Sequence, residues 1–278
     1  MIDSLRASGQ KLQCSYCGST DCKPIDRKYV VTCLMECQNC HLYFRYPVDK
    51  KETNAAFYQT EYKEKDKITT DLPDKPMLDR MIREGFQTAN KNGDRYLNLF
   101  ARLFPGVKSL NIIDYGCSWG YLTYQFKQAG HRVQGYEISE PRADYGRKNL
   151  DVEIFSDENR MSGSNHIFFS SHVIEHHPDI RGMIRLAKSL LINGGYFIAF
   201  CPNGSPAYRE RFPQAFHRAW GKVHPNYLSA GFYEHVFKDN PCYIGSSPIK
   251  PDKIGPLEKQ EIQVDDLSGE ELFVISRL

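Results

Sequence analysis

The chain has 278 residues, of which 41% are hydrophobic and 25% are charged, and its formal net charge at pH 7 is +2. This composition is typical of a soluble globular protein and suggests neither a disordered chain nor a membrane protein. The near-neutral charge argues against a protein whose main partner is nucleic acid, because such proteins usually carry a marked basic excess.

Cysteine usage and the lack of long apolar segments indicate the compartment. No stretch approaches roughly 18 consecutive apolar residues, and the first ten residues lack the apolar core of a signal peptide. We therefore expect a cytoplasmic protein with no membrane insertion. Six of the nine cysteines fall within residues 14–40. In a reducing compartment, such a cluster indicates metal binding rather than disulfides.

The first 50 residues contain two Cys-x-x-Cys pairs and are predicted to form a zinc ribbon. Cys14 and Cys17 are separated from Cys37 and Cys40 by 19 intervening residues, which is the spacing of such ribbons. Four thiolates around one zinc ion make a closed tetrahedral site, and such a site is structural rather than catalytic. At roughly 10–16 kcal/mol of apparent binding energy, zinc can fold a segment too small to fold alone.

Three further residues leave the ligand set open at this point. Cys22 and Cys33 could be alternative ligands or could pair with each other across a hairpin, and His41 is another substitute. A redox thiol module is the competing hypothesis for the whole cluster.

Residues 51–104 are predicted to be a linker followed by a helical lid segment. A charged, proline-containing stretch extends to about residue 76. From Met77 to Phe104, apolar residues recur with charged residues between them, which predicts one or two amphipathic helices interrupted near Asn92-Gly93.

Residues 105–278 are predicted to form an α/β domain with a doubly wound sheet. Strand-like segments such as "LNIID", "HRVQGYEIS" and "HIFFSSHVI" alternate with helical segments such as "YLTYQFKQAG" and "DIRGMIRLAKSLLINGG". Alternation of this kind implies a parallel sheet with helices on both faces. In the tail, "PNYLSAGFYEHVFKD" is predicted to be one helix, and "CYIGS" and "ELFVISRL" are predicted to be the last two strands.

The loop "YGCSWG" follows the first strand of this domain, where open parallel sheets bind their ligands. Gly116 can adopt backbone angles closed to other residues, and Gly120 lets a helix begin close to the strand or to a ligand. A tight structural turn explains the same two glycines equally well.

Glu137 ends the next strand, 17 residues after Gly120. A carboxylate at this point can accept hydrogen bonds from both hydroxyls of a ribose, whereas an exposed surface glutamate is the simpler interpretation. The spacing does not match the dinucleotide pattern G-x-G-x-x-G, because Ser118 and Tyr121 stand where the second and third glycines belong. Pyrophosphate binding is therefore poorly supported.

The remaining pattern, D-x-G-x-x-x-G, resembles motif I of the class I S-adenosylmethionine-dependent methyltransferases. The resemblance covers about residues 105–203 and includes Asp114, Gly116, Gly120 and Glu137. It extends to "HVIEHHPD" after the fourth strand and to "NGGYFIAFCPN" around the fifth, which are typical of a subset of small-molecule methyltransferases.

This resemblance implies a seven-stranded, Rossmann-like methyltransferase sheet whose last two strands form its antiparallel end. It also implies S-adenosylmethionine as the methyl donor. The chain departs from the family at Ser118, where a glycine is usual, and at Asn165-His166, where an acidic residue often opens the fourth strand. The residues that the resemblance assigns to cofactor binding are Asp114, Gly116, Cys117, Ser118, Gly120, Glu137, Ile138, Asp157, Ser171 and His172.

Methyl transfer is an in-line displacement, so the enzyme mainly has to position the acceptor and exclude water. An oxygen acceptor must also lose a proton, and histidine is the usual base near neutral pH. His176 and His224 are the predicted catalytic residues, although a histidine in such a position is more often structural than a base. The other histidines at the carboxyl ends of the strands are His172, His177 and His217.

Similar ribbons precede the methyltransferase domain in bacterial enzymes that modify sugars and surface polysaccharides. The resemblance therefore points to a small-molecule or carbohydrate acceptor, such as a nucleotide sugar. Two alternatives remain: an RNA methyltransferase that grips its substrate with the ribbon, and a noncatalytic protein that binds the cofactor and recognises a partner. Trp220, Tyr208, Phe216 and Tyr58 could form an aromatic lid or simply pack in the core.

Overall fold

A computed structural model describes residues 11–29, 32–48, 71–87, 91–221 and 223–278, and their strands form two sheets. The strands are β1 (Cys22–Lys28), β2 (Thr32–Cys37), β3 (Tyr43–Tyr46), β4 (Asn111–Tyr115), β5 (Arg132–Tyr136), β6 (Ile154–Phe155), β7 (Asn165–Ser171), β8 (Leu191–Pro202), β9 (Asn226–Tyr227), β10 (Cys242–Ser246), β11 (Ile262–Val264) and β12 (Glu271–Arg277). The helices are α1 (Lys75–Arg83), α2 (Asp94–Leu103), α3 (Tyr121–Gln128), α4 (Glu140–Leu150), α5 (Ile180–Leu190), α6 (Pro206–Arg211), α7 (Pro213–Ala219) and α8 (Ala230–Val236).

The larger sheet has eight strands in the order β11-β10-β12-β8-β7-β4-β5-β6. Strands β4 to β8 are parallel, and the order reverses between β4 and β7, so the predicted doubly wound sheet is confirmed. Seven strands follow the predicted pattern, and the short β11 adds an eighth at the edge. Among the described strands of this sheet, β12 alone runs antiparallel to its neighbours, so the antiparallel end is one strand rather than the predicted two.

Both faces of this sheet are covered by apolar side chains. Ile113 and Phe168 pack on the face that carries α5 and α8, whereas their neighbours Ile112 and Phe169 pack against α2 and α3 on the other face. Successive side chains of a strand point to opposite faces. The strands therefore read as continuous apolar runs, because neither face meets water.

The helices before the sheet agree with the prediction at the start of α2, whereas α1 ends at Arg83, before the predicted interruption near Asn92-Gly93. Helix α1 is capped by Asp74, whose Oδ1 accepts a hydrogen bond from Met77 N at 2.9 Å. Helix α2 begins directly after Gly93 and buries Tyr96, Leu99 and Phe100 against the sheet. The predicted linker falls mostly on residues 49–70, which lie outside the described residues, as does Tyr58.

The smaller sheet consists of the antiparallel strands β1, β2 and β3, together with β9 from the C-terminal half of the chain. Arg45 N donates to Pro225 O at 2.7 Å beside this pairing. The predicted single helix over residues 225–239 is wrong, because its first residues form β9. The helix starts only after Ser229, whose Oγ accepts from Phe232 N at 3.3 Å.

None of the helices in the described ranges combines the length and apolarity that a membrane crossing requires.

Candidate functional site

The loop between β4 and α3 closes over the end of β5. Gly116 N and Cys117 N both donate to Tyr136 O, at 2.8 and 2.9 Å. Gly116 has φ 81°. A Cβ on Gly116 would lie 2.2 Å from Val173 Cγ2, so the side chain of Val173 occupies the space that any other residue would need. Glycine is therefore required here because the segment after β7 packs directly on the loop.

We expect Gly116→Ala to destabilise the protein through both strain and overpacking. Positive φ costs a residue with Cβ roughly 1–2 kcal/mol, and the clash with Val173 adds roughly 1–3 kcal/mol. Gly106→Ala is the matched control, because Gly106 has φ 80° and nothing within 4 Å of its Cβ position. Urea unfolding should show the larger loss for Gly116→Ala, and equal losses would contradict the packing argument.

Glu137 lies beside this loop and is only 9% exposed. Its Oε2 accepts from Ser118 N at 3.0 Å, and its Oε1 accepts from Ser139 N at 2.8 Å. Burial raises the pKa of this carboxyl, while Arg142 and the two backbone hydrogen bonds oppose the rise. Each oxygen keeps a further lone pair for a ligand hydroxyl. Glu137 is thus a buried, oriented carboxylate and not an exposed surface glutamate.

Two predicted cofactor residues lie behind the loop rather than on its open side. Asp114 is 2% exposed, and its Oδ2 accepts from Thr123 Oγ1 at 2.7 Å, which ties β4 to α3. Burial raises the pKa of Asp114 to about 7. The Cys117 thiol is also buried and packs against Gly135. A Cβ added to Gly135 would lie 2.8 Å from Cys117 Sγ. Both side chains support the loop from within the core.

The remaining predicted residues of this region differ in their surroundings. Ser118 has φ 52°, and its Oγ accepts from Arg142 Nη1 at 3.1 Å, a contact that sequence reasoning missed. Gly120 precedes α3 with φ 80° and packs against Ile154. Ile138 is 41% exposed, which leaves an apolar surface next to Glu137. Asp157 is exposed, and its Oδ1 accepts from Asn159 N at 3.0 Å.

Ser171 and His172 stand at the end of β7 and join a network that the sequence did not reveal. His172 Nε2 lies 2.9 Å from Glu271 Oε1, and Arg95 contacts the same carboxylate with both terminal nitrogens, at 2.8 and 3.0 Å. Ser171 Oγ lies 3.2 Å from Tyr96 OH. Burial alone would lower the pKa of His172, but Glu175 and Glu271 outweigh it and raise that pKa.

The structure brings His176 and His224 together although they are 48 residues apart in the chain. Their ring centroids are 4.7 Å apart. His176 Nδ1 contacts Val223 O at 2.6 Å, and His224 Nδ1 contacts Ala219 O at 2.5 Å. Because a carbonyl oxygen only accepts hydrogen bonds, both rings must carry a proton on Nδ1.

Glu175 lies beside this pair and is 1% exposed. Its Oε1 is 3.8 Å from His176 Nε2 and 3.7 Å from His172 Nδ1. The other candidate histidines are elsewhere: His177 faces Glu158, at 3.9 Å, and His217 contacts Asp26 at 2.9 Å. His176 and His224, the two histidines predicted to be catalytic, therefore share one site with Glu175 at the carboxyl edge of the sheet.

The ribbon sheet fixes the segment that carries His224. Strand β9 begins two residues after His224 and pairs with β3. Asn226 Nδ2 donates to His177 O at 2.8 Å, which links this segment to the one after β7. Trp220, Tyr208 and Phe216 pack under the ribbon with Tyr227, so they belong to the core between ribbon and helices rather than to an open lid.

The four cysteines of the two Cys-x-x-Cys pairs form one cluster. Cys14 Sγ lies 3.6 Å from Cys40 Sγ, Cys17 Sγ lies 3.4 Å from Cys37 Sγ, and all four sulfurs are within 4.8 Å of one another. Sulfurs bonded to one zinc at about 2.3 Å in a tetrahedron are about 3.8 Å apart. The cluster therefore has the size that a four-thiolate zinc site requires.

The other candidate ligands lie outside this cluster. Cys22 stands opposite Cys37 in the strand pairing and Cys33 stands opposite Arg27, so the pairing of Cys22 with Cys33 across the hairpin is wrong. His41 Nδ1 lies 3.5 Å from Glu36 Oε1. All nine cysteines are in the described residues and none forms a disulfide.

A family model described as "Methyltransferase domain" matches residues 87–243, which is more than half of the chain. A comparison of this chain with curated protein sequences found no match. Among solved structures, magnesium protoporphyrin IX methyltransferase from Synechocystis PCC 6803 with bound SAH is similar, with 14% identity, a TM-score of 0.53, and coverage of 82% of this chain and 99% of that one.

The plantazolicin methyltransferase BpumL, solved with a monoazolic desmethylPZN analog and SAH, is similar as well, with 15% identity, a TM-score of 0.52, and coverage of 81% of this chain and 95% of that one. Likeness at these identities concerns the fold, whereas the family follows from the domain model. The chain therefore belongs to the methyltransferase-domain family and is a class I S-adenosylmethionine-dependent methyltransferase.

Proposed function

We propose that the chain binds S-adenosylmethionine (SAM) at the loop 116–120 and transfers its methyl group to a small-molecule acceptor held beside His176 and His224. The contact between Val173 and Gly116 carries this proposal. Val173 lies between His172 and Glu175 in the chain, so the histidine segment touches the glycine loop. A methyl donor on that loop and an acceptor beside the histidines would be neighbours.

The described residues suggest a role for each part of the donor. The oriented carboxylate of Glu137 suits the two ribose hydroxyls, because its oxygens are fixed by Ser118 N and Ser139 N. The exposed side chain of Ile138 suits one face of the adenine, and the carboxylate of Asp157 suits its amine. Ser171 and His172 would border the other side of the donor.

Methyl transfer needs no covalent intermediate with the protein. The S–CH₃ bond breaks as the bond from the acceptor atom to the methyl carbon forms, and positioning supplies much of the rate. The proton of an acceptor hydroxyl must also leave. With Nδ1 protonated, a neutral His176 or His224 has its lone pair on Nε2, which can accept that proton.

The chemical class of the methyl acceptor is to be identified by screening compounds for methylation. The similar structures carry the names of a porphyrin methyltransferase and a plantazolicin methyltransferase, whose acceptors differ chemically, and they give no support to a sugar acceptor. Nucleotide sugars are the first compounds to screen, because the resemblance in the ribbon segment points to them, and other hydroxyl and amine acceptors follow.

We also propose that Cys14, Cys17, Cys37 and Cys40 hold one structural zinc ion. Their sulfur separations support four-thiolate coordination. A closed site of this kind leaves no open position for chemistry. Its role is then to fold the ribbon, whose β3 pairs with the strand that follows His224.

The RNA methyltransferase alternative requires a basic face on the ribbon. Lys28 Nζ donates to Arg218 O at 3.2 Å and lies 4.6 Å from the centroid of the Trp220 ring. Lys28 therefore joins β1 to the C-terminal end of α7. Arg45 buries its Nε and Nη2 atoms, whereas Lys23 and Arg27 are exposed. These four residues therefore do not share one exposed face. Retained nucleic acid, measured by absorbance at 260 nm, would favour this alternative.

The donor site is tested by titrating S-adenosylhomocysteine into the protein in a calorimeter. We expect one molecule bound per chain and at least roughly 100-fold weaker binding by Glu137→Ala, because charge-assisted hydrogen bonds contribute roughly 1.5–3 kcal/mol each. Glu137→Gln, which keeps the side-chain volume, should weaken binding less. Asp144→Ala on α4 is the control, since the side chain of Asp144 is 42% exposed and contacts Lys148 at 2.6 Å.

Equal affinity of Glu137→Ala and the unmodified chain would exclude Glu137 from the donor site. If the folded, zinc-loaded protein bound no S-adenosylhomocysteine at all, the proposed activity would fail, and a scaffold that recognises a partner through its ribbon would replace it. Binding without turnover on any acceptor would favour the noncatalytic alternative.

A further inference from the structure

The side chain of Glu175 is fully buried and lacks hydrogen-bond donors. It is 1% exposed, and neither carboxylate oxygen has a hydrogen-bond partner within the described part of the chain. Buried charges are normally paired and hydrogen-bonded or coordinate metals, because removing a carboxylate from water is costly. A carboxylate in this situation therefore points to a cation that is bound at the same place.

His176 and His224 supply the other groups that such a cation needs. One ligand atom from each histidine and one oxygen of Glu175 all lie within 4.8 Å of one another. The Nδ1 atoms of both rings are engaged by the carbonyls of Val223 and Ala219. Metal-binding histidines characteristically donate one ring N–H to a carbonyl or carboxylate, which orients the other nitrogen towards the metal.

We propose that Glu175, His176 and His224 bind a divalent transition-metal cation, distinct from the ion at the four-cysteine cluster. Imidazole and carboxylate ligands together suit Mn²⁺, Fe²⁺, Co²⁺ or Zn²⁺, whereas Mg²⁺ and Ca²⁺ prefer oxygen ligands alone. Three protein ligands leave at least one coordination position open, which is the arrangement of catalytic rather than structural metal sites.

The position of the proposed cation suggests a role in methyl transfer, and this role rests on the proposed function. The site follows Val173, which packs on the glycine loop, so a cation there is close to the proposed methyl donor. A bound cation can hold an acceptor hydroxyl and lower its pKa, so that its proton leaves to water before the oxygen takes the methyl group. His176 and His224 would then be ligands rather than proton acceptors.

The competing explanation is an ion pair with a protonated histidine. His172 Nδ1 lies 3.7 Å from Glu175 Oε1, the oxygen that His176 Nε2 approaches to 3.8 Å, and is the candidate for such a pair outside the proposed ligand set. That pairing predicts no affinity for metals. It also predicts that His224, which contributes nothing to the pair, can be replaced without effect on metal binding.

The test uses the full chain carrying one zinc ion per molecule. Mn²⁺ is titrated into it, and free Mn²⁺ is followed by electron paramagnetic resonance. We expect one Mn²⁺ bound per chain, and at least tenfold weaker binding by Glu175→Gln and by His224→Gln. His217→Gln is the control, because His217 is paired with Asp26 near the ribbon and should leave Mn²⁺ binding unchanged.

A spin-echo measurement on the unmodified protein makes the test independent of the folding of the variants. Bound Mn²⁺ should show nitrogen couplings from two imidazoles. Absence of saturable Mn²⁺ binding, absence of imidazole couplings, or unchanged binding by a folded Glu175→Gln would overturn the metal site. S-adenosylhomocysteine binding is measured on the same samples, so that loss of the metal site and loss of the proposed function are told apart.

Discussion

Cys40→Ser is expected to lose the ribbon's zinc and, with it, a large part of the roughly 10–16 kcal/mol that such sites contribute to folding. Cys40 is completely buried, and its Sγ lies 3.6 Å from Cys14 Sγ. A serine hydroxyl binds zinc poorly because it stays protonated near neutral pH, whereas zinc ligands must be deprotonated. Zinc content per chain is the first measurement.

The structural effect of this variant should spread beyond the ribbon. Strand β3 pairs with β9, so unfolding the ribbon removes the partner that holds the segment of His224. Hydrogen exchange should therefore speed up in β1 to β3 and in residues 224–229, while β4 and β5 keep their protection. S-adenosylhomocysteine binding should persist, because Glu137 and its loop lie outside the ribbon.

Cys22→Ser provides the matched comparison for Cys40→Ser. Cys22 lies in the same segment, but its Sγ contacts Ser19 O at 3.7 Å and is not part of the four-sulfur cluster. We expect this variant to keep its zinc and to lose no more than about 1 kcal/mol of stability, as in the loss of one weak hydrogen bond. Full zinc content in Cys40→Ser, or loss of zinc in Cys22→Ser, would show that the ligand set is wrong.

Asp114→Asn is expected to change how stability depends on pH. Burial raises the folded-state pKa of Asp114 to about 7, whereas an unfolded aspartate has a pKa of about 3.9. The native state therefore binds the proton more tightly than the unfolded state does. The stabilisation is complete below the unfolded pKa and is lost as pH rises towards the folded pKa, above which the buried carboxylate is charged.

Asparagine removes this loss because it is never charged. Relative to the unmodified chain, Asp114→Asn should gain roughly 3 kcal/mol in free energy of unfolding between about pH 4.5 and about pH 8, at about 1.36 kcal/mol per pKa unit. Its amide oxygen can still accept the hydrogen bond from Thr123. Urea unfolding of both proteins at the two pH values measures the difference, in which pH-independent effects cancel.

Asp144→Asn serves as a control of opposite sign. The hydrogen bond from Lys148 lowers the pKa of the partly exposed Asp144 carboxyl, so removing the charge should cost a little stability as pH rises. Parallel pH profiles for Asp114→Asn and the unmodified chain would mean that folding does not raise the pKa of Asp114.

Short-range patterns in the sequence were enough to predict much of the fold. The helices and strands of residues 105–203 reflect local apolar spacing, and the start of α2 follows from Asn92-Gly93. The failures also have local causes. The helix predicted over 225–239 is interrupted because Tyr227 pairs with Tyr43 of the ribbon, a partner almost two hundred residues away. Such pairing overrides the helical pattern of the segment.

The sequence by itself determined the parts of the site that lie within one βα unit or one Cys-x-x-Cys pair. The glycine loop, Glu137 and the cysteine spacing are of this kind, because chain geometry over a few residues dictates where those groups can lie. Tertiary structure alone decided what surrounds them. Val173 on Gly116, the contact of Arg95 and His172 with Glu271, and His224 beside Glu175 join segments from different strands. Their meeting depends on strand order and on the ribbon's docking, which no local pattern encodes.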